Sequence, residues 1–221
     1  MSSGDGQRQG VGRHLWVGVG LGVATLVLAY VLAQVKSHIT PKQALPVIGP
    51  VADFTLTNQN GRAVSLADLR GRVWVADIIF TRCPGPCLKM TRQMKNLQEA
   101  LGATSEAKLV TLTTDADFDT PPVLRAYAER FGADTNRWMF LTGTKQGVAK
   151  LAIDSLKLTA VEKKPEERES AQDLFVHSTI FVIVDKQGRL RGVFETTGEG
   201  IDPRVVQAQI LAAVGQLERE S

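Results

Sequence analysis

Only two cysteines occur in the chain, and they stand four residues apart in the segment Cys83-Pro84-Gly85-Pro86-Cys87. A dithiol at this spacing has three uses: binding a soft metal, exchanging with other disulfides, or closing an inert bridge. The bridge is the weakest of these, because so small a ring gains only about 2 kcal/mol on the chain-entropy model. Two neighbouring cysteines also cannot form a disulfide framework, so they mark a site. Of three histidines, His14 borders a long apolar run and His38 follows it among prolines, which leaves His177 as the one in the folded domain. Alone, a histidine at the start of an apolar strand reads first as a core residue. Together with two thiolates, its imidazole would complete a compact soft site, suited to trigonal Cu(I) and able to hold Cu(II) with a further ligand. A structural zinc site calls for four protein ligands, and a fourth is not evident.

The elements around these residues must position them. Val73–Phe80 is a β-branched apolar run that reads as a buried central strand. An amphipathic helix is expected from about Leu88 to Leu101. The cysteines therefore fall at a strand-to-helix turn, where a helix N-terminus favours thiolate, and Pro84 and Pro86 stiffen the loop. Met90 and Met94 share one face of that helix; they read as core packing, with a thioether extension of a Cu(I) site as the alternative. Asp77 interrupts the strand six residues before Cys83. A buried carboxylate there could accept a thiol proton, or could simply be hydrogen-bonded to backbone or lie at a sheet edge.

Further along, a hairpin is expected over Asp53–Leu66, with strands at Lys108–Thr113 and Trp138–Leu141. Helices follow at Pro121–Phe131 and Lys145–Ile153, and Glu162–Ser170 is a charged loop. Phe175–Val184 and Leu190–Glu195 read as strands joined at Asp185-Lys186-Gln187-Gly188, before a last helix that ends near Leu217. Alternating strands and helices closed by a hairpin imply an α/β domain with a mixed sheet: a thioredoxin-like fold with an N-terminal β-hairpin extension. This plan puts the cysteines at the carboxyl end of a central strand, where open α/β sheets bind ligands.

Before the domain, residues 1–14 form a small, polar tail, and Leu15–Val35 carries no charge over a length that spans a bilayer core. With no clear cleavage site before Lys36, the run is expected to be an uncleaved transmembrane helix, N-in and C-out. Residues 36–50, with Pro41, Pro46 and Pro50, read as a tether, and 51–221 as the domain. Net charge is +3 over 221 residues without a dense basic block, which argues against nucleic acid as a partner.

The domain resembles the Sco/SenC family of membrane-anchored, thioredoxin-like copper chaperones for cytochrome c oxidase. The resemblance covers about residues 50–215. It rests on Asp53-Phe54-x-Leu56, Phe80-Thr81-x-Cys83-Pro84-x-x-Cys87, Asp115 with Asp119-Thr120-Pro121, Leu141-Thr142-Gly143, and His177-Ser178-Thr179 followed by Val184-Asp185-x-x-Gly188. It implies copper, as Cu(I) or Cu(II), held by Cys83, Cys87 and His177. It also implies delivery to a copper-containing subunit of a respiratory oxidase or to another copper chaperone, from a bacterial inner-membrane anchor with the domain in the periplasm. Three positions depart from the family pattern: Gly85 and Pro86 replace an acidic residue in the cysteine loop, Leu88 replaces a proline, and Val176 replaces an aspartate before the histidine.

A second reading stays open. Asp77 lies where thioredoxins carry a buried aspartate, and Gly85-Pro86-Cys87 resembles the end of their active-site motif. Both suit a membrane-tethered thiol–disulfide oxidoreductase acting on the cysteines of a copper protein. Peroxidase chemistry is disfavoured, because Phe80 and Ala76 stand where it needs threonine and proline.

Overall fold

The strand around which the domain is built is β4 (Trp74–Ile79), buried at all six positions. The structure is a computed structural model that describes residues 19–31, 44–83, 85–168 and 174–220; at 160 and 177 the backbone alone is described. The segment from Leu45 to Ser221 forms one compact unit, and residues 1–44 another. In the latter, a helix, α1, runs over 19–31 within the expected membrane span, while residues 15–18 and 32–35 lie outside the described residues. Among the described residues, no helix is long and apolar enough to cross a membrane.

The compact unit opens with β1 (Gly49–Pro50), β2 (Thr55–Asn58), β3 (Ala63–Ser65) and a single helical turn, α2 (Leu66–Leu69). After β4 come α3 (Pro86–Ala100), β5 (Lys108–Thr113), α4 (Pro121–Arg130), β6 (Trp138–Thr142) and α5 (Lys145–Ala149). The chain then makes a π-helical turn at Lys150–Ser155 and continues through β7 (Ala160–Glu162), β8 (Phe175–His177), β9 (Ile180–Val184), β10 (Arg189–Glu195) and α6 (Pro203–Arg219). Eight strands form one sheet in the order β1-β10-β9-β4-β5-β6-β2-β3, and β7 and β8 pair by themselves. β4, β5 and β6 are parallel, whereas the β9–β10 hairpin and the β2–β3 hairpin extend the sheet with antiparallel strands on either side.

Alternation along the central strands divides the core in two. Val75 and Ile79 pack with Met90, Met94 and Leu97 of α3 and with Ile210, Val214 and Leu217 of α6. Trp74, Ala76 and Ile78 pack on the other face with Leu66, Leu69, Val148 and Leu151. A strand buried on both faces cannot alternate in polarity, which is why β4 reads as an apolar run broken by Asp77 alone.

Three expectations are corrected. The single strand expected over Phe175–Val184 is two strands in two sheets, because Ser178 and Thr179 turn the chain between them. The Ser178 hydroxyl accepts the Thr159 backbone N–H at 2.6 Å, and the Thr179 carbonyl accepts from the backbone and hydroxyl of Thr196; such local partners compete with a sheet ladder. The charged loop expected over Glu162–Ser170 begins inside β7, and a 3-10 turn follows at Pro165–Glu167; residues 169 and 170 lie outside the described residues. The stretch before residue 51 is not all tether. The backbone N–H of Ile48 donates to Leu190, and Arg191 donates to the carbonyls of Leu45 and Pro46.

Candidate metal and thiol centre

β4 ends at Ile79, and the chain turns through Phe80, whose carbonyl accepts the N–H of Cys83 at 3.2 Å. α3 then starts at Pro86 after Gly85, so Cys87 lies in its first turn. Proline is favoured there, since its missing N–H costs nothing and its fixed φ suits a helix start. Cys83 and Cys87 are both buried thiols, at 6% and 0% exposure. The two sulfurs share a hydrogen bond, and this bond is the largest of the causes that push the Cys87 thiol far above its ordinary value. Burial and negative charge on Cys83 and Asp77 add to the shift, while a backbone hydrogen bond at Phe80 opposes it. A soft cation that binds both sulfurs would displace their protons, which is the chemistry of a thiolate metal site.

The loop before Cys83 is held by the turn after β5. The carboxylate of Asp119 accepts from the hydroxyls of Thr81 and Thr113 and, at 3.1 Å, from the Thr81 backbone. Burial raises the Asp119 carboxyl above its usual range, and these hydrogen bonds work against that rise. Asp115 accepts from Arg82 Nε at 3.1 Å, and the Arg82 guanidinium lies 4.0 Å from the ring of Phe118. Arg82 was not singled out from the sequence. Asp119, a helix-cap candidate by its place before Pro121, leaves that position to Thr120 and instead joins the two loops, as Asp115 does through Arg82.

Asp77 lies in the interior of the sheet, not at an edge, since β4 pairs with β5 on one side and β9 on the other. It is fully buried and accepts the hydroxyl of Thr111 at 2.6 Å, and that hydroxyl in turn accepts Trp138 Nε1–H at 2.9 Å. Asp77 and Thr111 are register partners on β4 and β5. Asp77 has the parity of Val75 and Ile79, which places it on the face beneath α3, in electrostatic reach of Cys87 and of Tyr127. Burial is the main reason that the Tyr127 phenol is pushed above its ordinary value, and its oxygen lies 2.9 Å from the Thr91 hydroxyl. Met90 and Met94, both at 0% exposure, belong to the same core cluster as the cysteines, as core packing requires.

His177 ends β8 opposite Ala160, and its side chain lies outside the described residues. Two residues earlier, Phe175 packs at 5.2 Å between ring centroids on Phe80, and both belong to the cluster that contains the two cysteines. Among the described residues, no group of three or more His, Cys, Asp and Glu gathers as a metal site. An open cleft of about 420 Å³ separates the Phe175 end of the small sheet from Arg82, Asp115 and Phe118.

The SCO1/SenC family model matches residues 46–214. A SCO1 protein homolog of Bacillus subtilis is 34% identical over 172 residues, which cover 75% of this chain and 86% of that protein. The structure of BsSco, described as a member of the Sco family of cytochrome c oxidase assembly proteins with a disulfide switch, is 27% identical. It superposes with a TM-score of 0.66 over 81% of this chain and 100% of that one. The structure of ScoI from Bradyrhizobium japonicum, solved with copper bound, is 22% identical and shares the fold, with a TM-score of 0.61 over 74% of this chain and 99% of that one.

Proposed function

Since the chain belongs to the SCO1/SenC family, we propose that it is a copper-binding assembly factor for a respiratory oxidase. Copper is its cargo, held by Cys83, Cys87 and His177 and passed to a copper-containing subunit or to another chaperone. The observation that carries this reading is the pair of buried, mutually hydrogen-bonded thiols in the turn from β4 into α3. They are soft donors on a fixed backbone, as Cu(I) requires. His177 enters through the family resemblance and its place in the chain: it ends β8 two residues after Phe175, which packs in the cysteine cluster. Oxidation of the dithiol to a disulfide removes both thiolates and with them the site. Copper titration of the reduced protein tests the reading. One equivalent of Cu(II) should bind, weakened about tenfold or more by His177→Ala and abolished by Cys83→Ser with Cys87→Ser; no stoichiometric binding, or Cu(II) binding indifferent to His177, refutes it.

The apolar run Leu15–Val35 would anchor the protein in the bacterial inner membrane, behind a tail of residues 1–14, and hold the domain in the periplasm at the end of a short tether. Protease protection in spheroplasts, with the domain cleaved from outside, is the expected outcome for this topology.

Asp77 favours a second activity at the same dithiol. Reduced Cys83 and Cys87 would attack a substrate disulfide, giving a Cys83–Cys87 disulfide and two substrate thiols. Two electrons pass to the substrate, and the carboxylate beneath α3 would take the proton of the attacking thiol. Asp77→Asn should then slow exchange; an unchanged rate at every pH removes this role.

A further inference from the structure

The two halves of the proposed copper site sit on different supports. The cysteine loop is bound to the turn after β5 through Asp115 and Asp119, whereas His177 stands on the separate β7–β8 sheet. One ammonium touches both supports. Lys145, the first residue of α5, lies 2.8 Å from Asp117 in the turn after β5 and 3.4 Å from Glu162 on β7. Glu162 is the register partner of Phe175, one end of a ladder whose other end pairs Ala160 with His177. Arg168 adds a second cation to Glu162 at 3.5 Å, but it belongs to the same hairpin and so does not tie it to the body. An apolar contact adds to the tie at this end of the small sheet: Phe175 packs on Phe80, with Leu174 beside it.

The geometry points to Lys145 as a positioning residue for the copper site: its charge joins the cysteine-loop support to the hairpin that carries His177. This rests on the copper reading above. It also predicts a selectivity, because Cu(I) can be held by two thiolates alone, whereas Cu(II) needs the nitrogen ligand. Loosening the hairpin should therefore weaken Cu(II) and leave Cu(I) almost unchanged. Lys145 and its partners are about half exposed or more, so the tie is modest and screened by salt. Removing it should speed hairpin opening by roughly threefold to fivefold, the scale of one or two exposed ion pairs.

The test compares wild type, Lys145→Met and Lys145→Arg as full-length protein. In the metal-free state, hydrogen exchange is read at the amides of Lys163 and Ser178, which bond across the hairpin to Leu174 and Thr159. Exchange should be roughly threefold to fivefold faster in Lys145→Met and return to the wild-type rate in Lys145→Arg. High salt should bring wild type toward the Met variant and leave that variant unchanged. With copper, nitrogen coupling in the Cu(II) spectrum should weaken in Lys145→Met alone, and Cu(I) affinity should stay within about twofold, as a dithiolate-held ion allows. Unchanged amide exchange in Lys145→Met, or equal losses of Cu(I) and Cu(II), overturns the assignment. Wild-type Cu(II) binding indifferent to His177→Ala would instead overturn the copper reading, while the exchange data still decide the tie.

Discussion

Thr111 offers a sharp test of how the buried polar layer beneath α3 is maintained. Its hydroxyl is at once the donor to Asp77, at 2.6 Å, and the acceptor for Trp138 Nε1–H, at 2.9 Å. Thr111 is 2% exposed, and Asp77 and Trp138 are at 0%, so no solvent can replace a lost partner. Thr111→Val keeps the shape and removes both functions. Loss of a hydrogen bond to a charged group is worth about 1.5–3 kcal/mol, and an indole N–H left unsatisfied costs about 1–3 kcal/mol. Because the two losses share one atom and relax together, about 3 kcal/mol is the expected total. Thr111→Ser retains the hydroxyl and loses one methyl, which should cost about 1 kcal/mol. Urea unfolding at pH 7 of the reduced protein would measure both. In the background of Asp77→Asn, whose neutral oxygen can still accept, the valine substitution should cost about 1 kcal/mol less, since the charge assistance is already gone. If Thr111→Val lies within about 0.5 kcal/mol of wild type, the level of an ordinary surface change, the polar layer is not held by this hydroxyl and the reasoning fails.

Further outcomes follow from the same contacts. Arg191 is 4% exposed and donates at 2.8 Å to both Asp185 and Glu220 and to the Leu45 carbonyl at 2.6 Å. Arg191→Met should destabilise by about 3 kcal/mol at pH 7, the lower end for a broken buried pair, because Arg189 still donates to Asp185 at 2.8 Å. Burial alone would raise the Asp185 carboxyl, but hydrogen bonds from Arg191 and Arg189 outweigh it and hold the group below its ordinary value. A depressed carboxylate stabilises the fold above its unfolded value of about 3.9 and ceases to do so as pH falls through its lower folded value. The gap between variant and wild type in thermal unfolding should therefore narrow below about pH 4. Asp119→Ala removes the acceptor of Thr81 and Thr113; it should cost about 2 kcal/mol and lower Cu(I) affinity severalfold, as seen by competition with a chromophoric chelator. Phe175→Ala deletes a ring packed on Phe80. It should cost about 3 kcal/mol and weaken Cu(II) more than Cu(I), read by the same competition.

The dithiol half of the proposed centre is legible in the sequence because each of its signals is local. The apolar run of β4, the proline at the start of α3 and the spacing of Cys83 and Cys87 are properties of one continuous segment. The histidine half was legible only in part. The run from Phe175 to Val184 has the composition of one strand, and nothing in its periodicity marks the break, which arises when the Ser178 hydroxyl meets the Thr159 backbone. β7, its partner, has only three residues and ends in Glu162, the first residue of a charged run, so it reads as loop. Likewise, the oddity of Asp77 was visible in an apolar strand, but its environment depended on a register that pairs it with Thr111 and brings in Trp138 from β6. Lys145 lay beyond sequence reasoning altogether: a lysine at a helix start reads as solvated until folding places carboxylates from two other segments beside it. The contrast has a physical root. The cysteines are fixed by elements that bury a large apolar area and so leave strong patterns, whereas the hairpin bearing His177 is tied to the domain by Phe175, Leu174 and a few half-exposed charges. Weak attachment leaves a weak sequence pattern, and it gives the hairpin a lower opening energy than the dithiol's support. In the proposed copper site, the half least legible in the sequence is therefore the half expected to open first.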